Sequence, residues 1–225
     1  MYSVPVRGAQ HALSWPPFLR TRESVSPDVA AVVDRVWIDP TLSRVVKGRA
    51  ARVPLEIYLA FVDAPEVTAA AARFRKLARY EVHVLEDDWY LANDHDGARG
   101  IYRVLVREGR RRVILSQGEH SGSILGTITG SALTVIDVEV GPKAVDQRLT
   151  AYVVIDNAVA AALARLLVWA FGFIADRKLA EGFAVTAQVA EWAVEQPAEF
   201  CQWLALEPIS AGQRERLRSA LPNCL

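Results

Sequence analysis

The sequence has little of what metal, redox and nucleophile motifs require. It contains two cysteines in 225 residues, and Cys201 and Cys224 lie at no metal-binding spacing. They form no disulfide framework, so we expect free thiols and, by default, a reducing compartment. The sequence contains no motif of known chemistry, and we expect neither a metal nor a cofactor.

An excess of charge of one sign is also absent. Lys plus Arg and Asp plus Glu number 26 each, which gives a net charge of zero. Proteins that bind nucleic acid or an anionic membrane carry basic patches, so we expect neither partner. The N-terminal residues lack a charged segment followed by an apolar core, so we expect no secretory signal and a cytoplasmic protein.

Hydrophobic residues make up 52% of the chain, and the mean hydropathy is +0.13, which is typical of a globular protein with a large core. We find no internal repeat. We expect an irregular arm over residues 1–25, an α+β domain over 26–183, and a helical extension over 184–225 that packs on it.

The longest apolar stretch, Asn157–Phe183, is typical of a buried helix. Asp156 or Asn157 can cap its start, and Gly182 can end it in the left-handed conformation. The run is near the lower limit for crossing a bilayer, and Arg165 near its middle makes insertion costly. We therefore expect a core helix gripped by a sheet and not a membrane span.

Several helix signals precede the predicted sheet. Ser26-Pro27-Asp28 starts a helix with one apolar face, and Asp39-Pro40 predicts a short helix ending near Gly48. Pro65–Tyr80 predicts a further helix, with its arginines mostly outward.

Residues 52–63 fit two interpretations. As a strand, they place Val53, Leu55, Ile57, Leu59 and Phe61 on one face; as a helix, they place Pro54 in the first turn. We favour the strand.

After Tyr80 the apolar residues alternate with polar ones. Marked turns at Asp94–Gly97, at Glu108–Arg110 and at Gly141 separate the runs, and short turns between neighbours predict an antiparallel meander. The strands are predicted at residues 80–86, 88–94, 98–108, 111–117, 121–130, 131–140 and 147–156. Beyond Gly182 we expect amphipathic helices over 185–194 and 197–206, and a last helix capped by Ser210 and Gln213.

Four glycines recur at every fourth position, at Gly118, Gly122, Gly126 and Gly130. The surrounding threonines and isoleucines favour strands, in which this spacing keeps all four glycines on one face. A face without side chains either lets the sheet curve around the long helix or lets a ligand approach the backbone closely.

Candidate catalytic groups are isolated. His120 follows Glu119, but the Gly118–Gly122 segment does not match a nucleophile elbow. Asp137 interrupts an apolar strand on the face of Leu133 and Val135; if that face is inward, it needs a partner such as Arg73 or Arg103. We keep three candidates for a general base: His83, His120 and Asp137.

A helix after a probable first strand, then a curved antiparallel meander, then the long apolar helix resembles the helix-grip fold of START-like proteins. The resemblance covers about residues 52–183 and rests on the order of the elements alone. It implies an α+β fold in which a curved antiparallel sheet of six to seven strands packs on the long helix. It also implies a cavity for lipids or other apolar molecules.

We therefore expect binding of a small apolar or lipid-like molecule between the sheet and the long helix. The candidate lining residues are Tyr102, Thr127, Thr134, Tyr152, Arg165, Trp169 and Phe173. Arg165 suits a carboxylate or phosphate head group, or it pairs with a core acid. Two alternatives stay open: a cyclase-type or hydrolase-type enzyme that uses the same cavity, and an interaction protein that forms a homodimer.

Overall fold

Alternating residues and marked turns build one antiparallel sheet. In the computed structural model its seven strands follow the order β1-β7-β6-β5-β4-β3-β2. They are β1 (Leu42–Lys47), β2 (Glu81–Glu86), β3 (Trp89–Asn93), β4 (Ala98–Glu108), β5 (Arg111–Gly122), β6 (Gly126–Val140) and β7 (Val145–Ile155). The meander from β2 to β7 confirms the predicted antiparallel meander, but with six strands in place of the predicted seven. No separate strand covers 121–130, because residues 121–122 end β5 and residues 126–140 form one strand without a break near Gly130.

The structure describes residues 14–86, 88–122, 126–141, 144–157, 161–162, 180–221 and 224. Most of the predicted long helix, including Arg165, Trp169 and Phe173, lies outside these ranges. Residues 161 and 162 are helical.

Five helices have complete bounds, and a sixth is described over residues 180–195, here called α4. The others are α1 (Pro27–Ile38), α2 (Leu55–Asp63), α3 (Pro65–Phe74), α5 (Pro197–Leu206) and α6 (Ala211–Ala220). The predicted capping box at Ser210 and Gln213 is present at the start of α6. The α+β class with C-terminal helices is therefore confirmed.

Two local predictions are wrong. Residues 42–47 form the edge strand β1 and not a helix, because they pair with residues 148–153 of β7, about a hundred positions later. Residues 55–63 form a helix and not a strand, with Pro54 as its N-cap residue. Apolar residues on several sides of α2 contact the core, so the apparent alternation does not reflect a sheet face.

The predicted stop at Gly182 is also wrong, because residues 180–195 are helical without interruption. The helix that starts at Pro65 ends earlier than predicted, at Phe74, and Lys76 adopts a left-handed φ of 56°.

The two cysteines are not free. Cys201 of α5 and Cys224 form a disulfide, with Cα atoms 4.9 Å apart. Their separation of 23 residues gives no indication in the sequence that they pair. The pairing depends on how α5, α6 and the residues after α6 pack together. The expectation of two free thiols is wrong, and so the cysteine argument for a reducing compartment does not hold.

The sheet has two covered sides. On the side called here the α1 face, Val33 and Val36 of α1 pack against Val113, Leu115 and Leu133 of the sheet. The arm also packs there, since Phe18 lies edge-on to Trp37 with ring centroids 5.3 Å apart.

On the opposite side, called the α4 face, Phe183 of α4 packs against residues of β6 and β7, among them Ile136, Leu149 and Ala151. At one end of this face α2, α3, α4, α5 and α6 share a large core with Val138 and Val145. Gly48 lets α4 approach β1, because a Cβ atom there would lie 2.6 Å from the Cβ of Phe183.

A row of glycines crosses the α4 face, where Gly100, Gly118 and Gly130 stand opposite one another on β4, β5 and β6. A Cβ atom at any of them would lie 2.4–2.6 Å from a carbonyl oxygen of the neighbouring strand. The strands therefore approach each other here more closely than a side chain permits. The predicted placement of Gly118 and Gly130 in strands is confirmed.

Candidate ligand-binding face

The middle of the α4 face is lined by small and hydroxyl-bearing side chains. One row across the strands contains Tyr102, Ser116, Ala132 and Val153, and all four are only partly buried. The next row contains Val104, Ile114, Thr134 and Ala151. No charged side chain belongs to either set of four. The surface is thus mainly apolar, with a few hydroxyl groups, as in pockets for small molecules.

The α1 face differs from this surface in being closed. Val113 and Leu133 are fully buried, and Leu115 and Val135 are almost so. These four side chains leave no space between them. The centres of the two sides therefore differ in burial, and the less buried side is the one on which α4 lies.

A polar cluster lies at the β3–β4 end of the α4 face. The rings of Tyr90 and Tyr102 stack with centroids 4.9 Å apart. Nη2 of Arg107 donates a hydrogen bond to the hydroxyl of Tyr90 at 2.9 Å and contacts Oδ1 of Asp88 at 3.0 Å. The phenol rings are thereby held in fixed positions at this end of the sheet.

A second arginine fixes the same end of the sheet to α2. Nε and Nη2 of Arg112 each donate to a carboxylate oxygen of Asp63 at 2.6 Å. The Arg112 side chain is only 7% exposed and that of Asp63 26%, so this bidentate pair is largely buried. Asp63 is the last residue of α2, and the pair therefore sets how α2 lies on the sheet.

Two phenols at this end of the sheet, Tyr80 and Tyr102, have raised pKa values. Burial raises the pKa of Tyr80 to about 12, against the opposing effect of Arg73. Burial also raises the pKa of Tyr102 well above its ordinary value, and Tyr90 and Glu66 act in the same direction. Both phenols are therefore neutral hydrogen-bond donors at any physiological pH.

The structure separates the predicted lining residues. Tyr102 and Thr134 lie on the α4 face, in adjacent rows. Thr127 and Tyr152 lie on the α1 face, where Thr127 shares a hydrogen bond with Ser121 at 2.9 Å and Tyr152 stacks on Phe18. The other three predicted residues, Arg165, Trp169 and Phe173, are outside the described part of the chain.

The predicted general bases are not brought together. His83 lies on the α1 face of the edge strand β2, with Nε2 3.5 Å from Oε2 of Glu81. His120 lies on the α4 face at the far end of β5, where it is exposed. It stands opposite Ile128, nine positions from Asp137 along β6, a span of about 30 Å.

Asp137 lies on the α1 face, on the same side of β6 as Leu133 and Val135. It stands at the solvent edge of that face. Its partner is Arg111, whose Nε donates to Oδ1 at 2.6 Å, and not Arg73 or Arg103. It lines a cleft of about 420 Å³ that also contains Phe18 and the turn between β4 and β5. Because Asp137 is already paired with Arg111, it is not a free acid in this cleft.

The cluster around Tyr90 and Arg107 was missed in the sequence. The signal that could have found it is the turn at Asp94–Gly97. Pairing Asn93 with Arg99 across that turn, and counting outward, places Tyr90 opposite Tyr102 on one face.

No three or more metal-ligating side chains converge in the described ranges. None of the helices described there has the length and apolarity that a membrane crossing requires.

No family model matches the chain. No curated protein sequence matches it either.

Solved structures of similar shape are found at low identity. A conserved protein from Geobacillus kaustophilus is 17% identical with a TM-score of 0.47, and the match covers 67% of this chain and 93% of the other. A START superfamily protein from Mycobacterium smegmatis is 15% identical with a TM-score of 0.37, covering 69% and 97%. Ara h 8.0201 is 7% identical with a TM-score of 0.39, covering 66% and 98%.

The superfamily that the element order resembles is therefore represented among the matched structures. At these scores the matches carry no argument about function. The chain is an α+β protein built on a curved seven-stranded antiparallel sheet, and its function is argued from its own residues.

Proposed function

We propose that the chain binds a small, largely apolar molecule, lipid-like molecules included, against the α4 face of the sheet. The observation that carries the proposal is the contrast between the two faces. The α1 face is closed by apolar packing, whereas the middle of the α4 face has partly buried Tyr102, Ser116 and Ala132. Affinity would come from apolar area removed from water, at about 25 cal/mol per Å².

Two threonines on β6 provide a matched test. Thr134 lies on the α4 face and Thr127 on the α1 face of the same strand. Thr134→Trp fills the proposed space, whereas Thr127→Trp adds the same ring to an exposed position. We expect the first variant to weaken binding of the uncharged dye Nile red at least about fivefold and the second to leave it unchanged.

The controls keep this test decisive. Ala132→Leu fills the same face with a smaller change and replaces Thr134→Trp if that variant melts early. Native mass spectrometry of gently purified protein checks for a co-purifying apolar molecule. No dye binding by the parent protein, or equal loss in both tryptophan variants, would contradict the proposal.

A homodimer is kept as a second candidate because of exposed apolar side chains at one edge of the sheet. Val84 and Leu85 of the edge strand β2 and Leu91 of β3 are 44%, 52% and 39% exposed. Edge strands with apolar side chains readily pair with another chain. Sedimentation at micromolar concentration tests it, since a monomer there would contradict a stable dimer.

The enzyme alternative gains no comparable support, because His83 and Asp137 lie on the α1 face and His120 is exposed at the end of β5. The cytoplasmic location stays a prediction from the N-terminal sequence, without the cysteine argument.

A further inference from the structure

The hydroxyl of Tyr102 is an unused hydrogen-bond donor on the α4 face. Tyr102 is partly buried between Tyr90 on β3 and Ser116 on β5. Among the described residues it stacks on Tyr90 but forms no hydrogen bond through its hydroxyl. One net hydrogen bond is worth about 0.5–1.5 kcal/mol, so a ligand group that accepts the proton of this hydroxyl would be bound favourably.

The charges around Tyr102 disfavour an anionic partner. Arg107 already contacts Asp88 at 3.0 Å and Asp63 at 3.6 Å. Arg112 is held by Asp63 in the bidentate pair described above. The carboxylate of Glu66 is close enough to act on the pKa of Tyr102.

The groups nearby thus comprise three carboxylates, Asp63, Asp88 and Glu66, and two guanidinium groups, Arg107 and Arg112, that are both paired. A ligand carboxylate or phosphate placed here would face Glu66, and neither of these two described guanidinium groups is free to balance it. The same carboxylates do not disfavour a ligand ammonium group, and a phenol oxygen can also accept, so the charges select against anions only. Among uncharged groups, an acceptor oxygen fits the Tyr102 donor.

We propose that the Tyr102 hydroxyl donates a hydrogen bond to a carbonyl or other neutral acceptor oxygen of the apolar ligand, and so selects neutral over anionic molecules. This inference rests on the proposed function. Tyr80, a second phenol near Tyr102, is the neighbouring candidate donor, since its hydroxyl likewise forms no hydrogen bond to a described residue.

Three probes of one shape separate the possibilities. They are 2-ethylnaphthalene, 2-acetylnaphthalene and 2-naphthoate, titrated at neutral pH by their fluorescence against the full chain. One net hydrogen bond is worth about 0.5–1.5 kcal/mol, so we expect the ketone to bind about 2- to 12-fold more tightly than the hydrocarbon. We expect the carboxylate to bind most weakly.

Tyr→Phe substitutions remove one oxygen each and serve as matched variants. Tyr102→Phe should bring the ketone to the affinity of the hydrocarbon. Tyr152→Phe, on the α1 face, should leave the ketone preference unchanged. In the parent protein the infrared carbonyl band of the bound ketone should shift as it does when a phenol donates to it, a readout that needs no variant.

The outcomes distinguish this inference from the proposed function. Equal binding of hydrocarbon and ketone, retention of the preference in Tyr102→Phe, or tightest binding of the carboxylate would overturn the inference and leave apolar binding standing. Binding of none of the three probes would overturn both.

Discussion

Reduction of the Cys201–Cys224 disulfide should destabilise the C-terminal helices by a calculable amount. The bond closes a loop over a sequence separation of 23 residues and joins α5 to the segment after α6. In the chain-entropy description, a closed loop of this length loses about 11.6 cal/mol per K in the unfolded state. That corresponds to about 3.5 kcal/mol at 25 °C.

This free energy translates into a measurable melting shift. For a chain of this size 1 kcal/mol moves the midpoint by about 2–4 °C. We therefore expect the reduced protein to melt about 7–14 °C below the oxidised protein. Because α6 contacts α2 and shares the core of α3 and α4, loosening it should lower the stability of the whole α4 face.

The assay compares thermal unfolding with and without a phosphine reductant. The double variant Cys201→Ala, Cys224→Ala is the control and should melt at one temperature under both conditions. A thiol count on unfolded, oxidised protein should find no free thiol. Two reactive thiols in that sample, or no effect of the reductant on the parent protein, would refute the reasoning.

Two other predictions concern the polar end of the sheet. Asp63→Asn removes the partner of buried Arg112 and should cost about 3–5 kcal/mol in urea unfolding; Glu108→Gln, at the exposed pair with Arg20, should cost under about 1 kcal/mol. A cost for Asp63→Asn no larger than that control would contradict a buried pair. Because the pKa of Tyr80 is about 12 in the folded protein and about 10 when unfolded, the unfolded state loses its proton first. The free energy of unfolding should therefore fall as pH rises from 10 to 12, with a smaller fall in Tyr80→Phe; an equal fall in both proteins would contradict this.

The meander could be predicted because its information is local. Turn residues at Asp94–Gly97 and Glu108–Arg110 fix the hairpins, and the alternation between them fixes the strands. The C-terminal helices were predictable for the same reason, since Ser210 and Gln213 carry a capping signal within four residues.

The errors arise where distant contacts decide the structure. β1 is a strand because it pairs with β7, and nothing near Asp39-Pro40 reports that partner. The helix α2 has apolar residues on several sides, so its period is hidden. The disulfide depends on the packing of α5 and α6, which no spacing reveals.

The candidate site could be predicted only in part for a similar reason. Both sides of the sheet are covered, so alternation does not tell which side faces α1. Tyr102 and Thr134 were separated from Thr127 and Tyr152 only by the strand register. Tyr90 and Arg107 form a cluster because the fold brings them next to residues that are distant in the sequence, such as Asp63.

Gly100, Gly118 and Gly130 have no side chains to hold the neighbouring strands apart. The main chain therefore sets the distance between the strands along this row. Any larger residue there would force adjacent strands apart. If a ligand binds on the α4 face as proposed, the size of molecule that fits there depends partly on backbone spacing, which single substitutions at Ala132 or Thr134 leave untouched. Altering the shape preference without altering the fold should begin at those two positions.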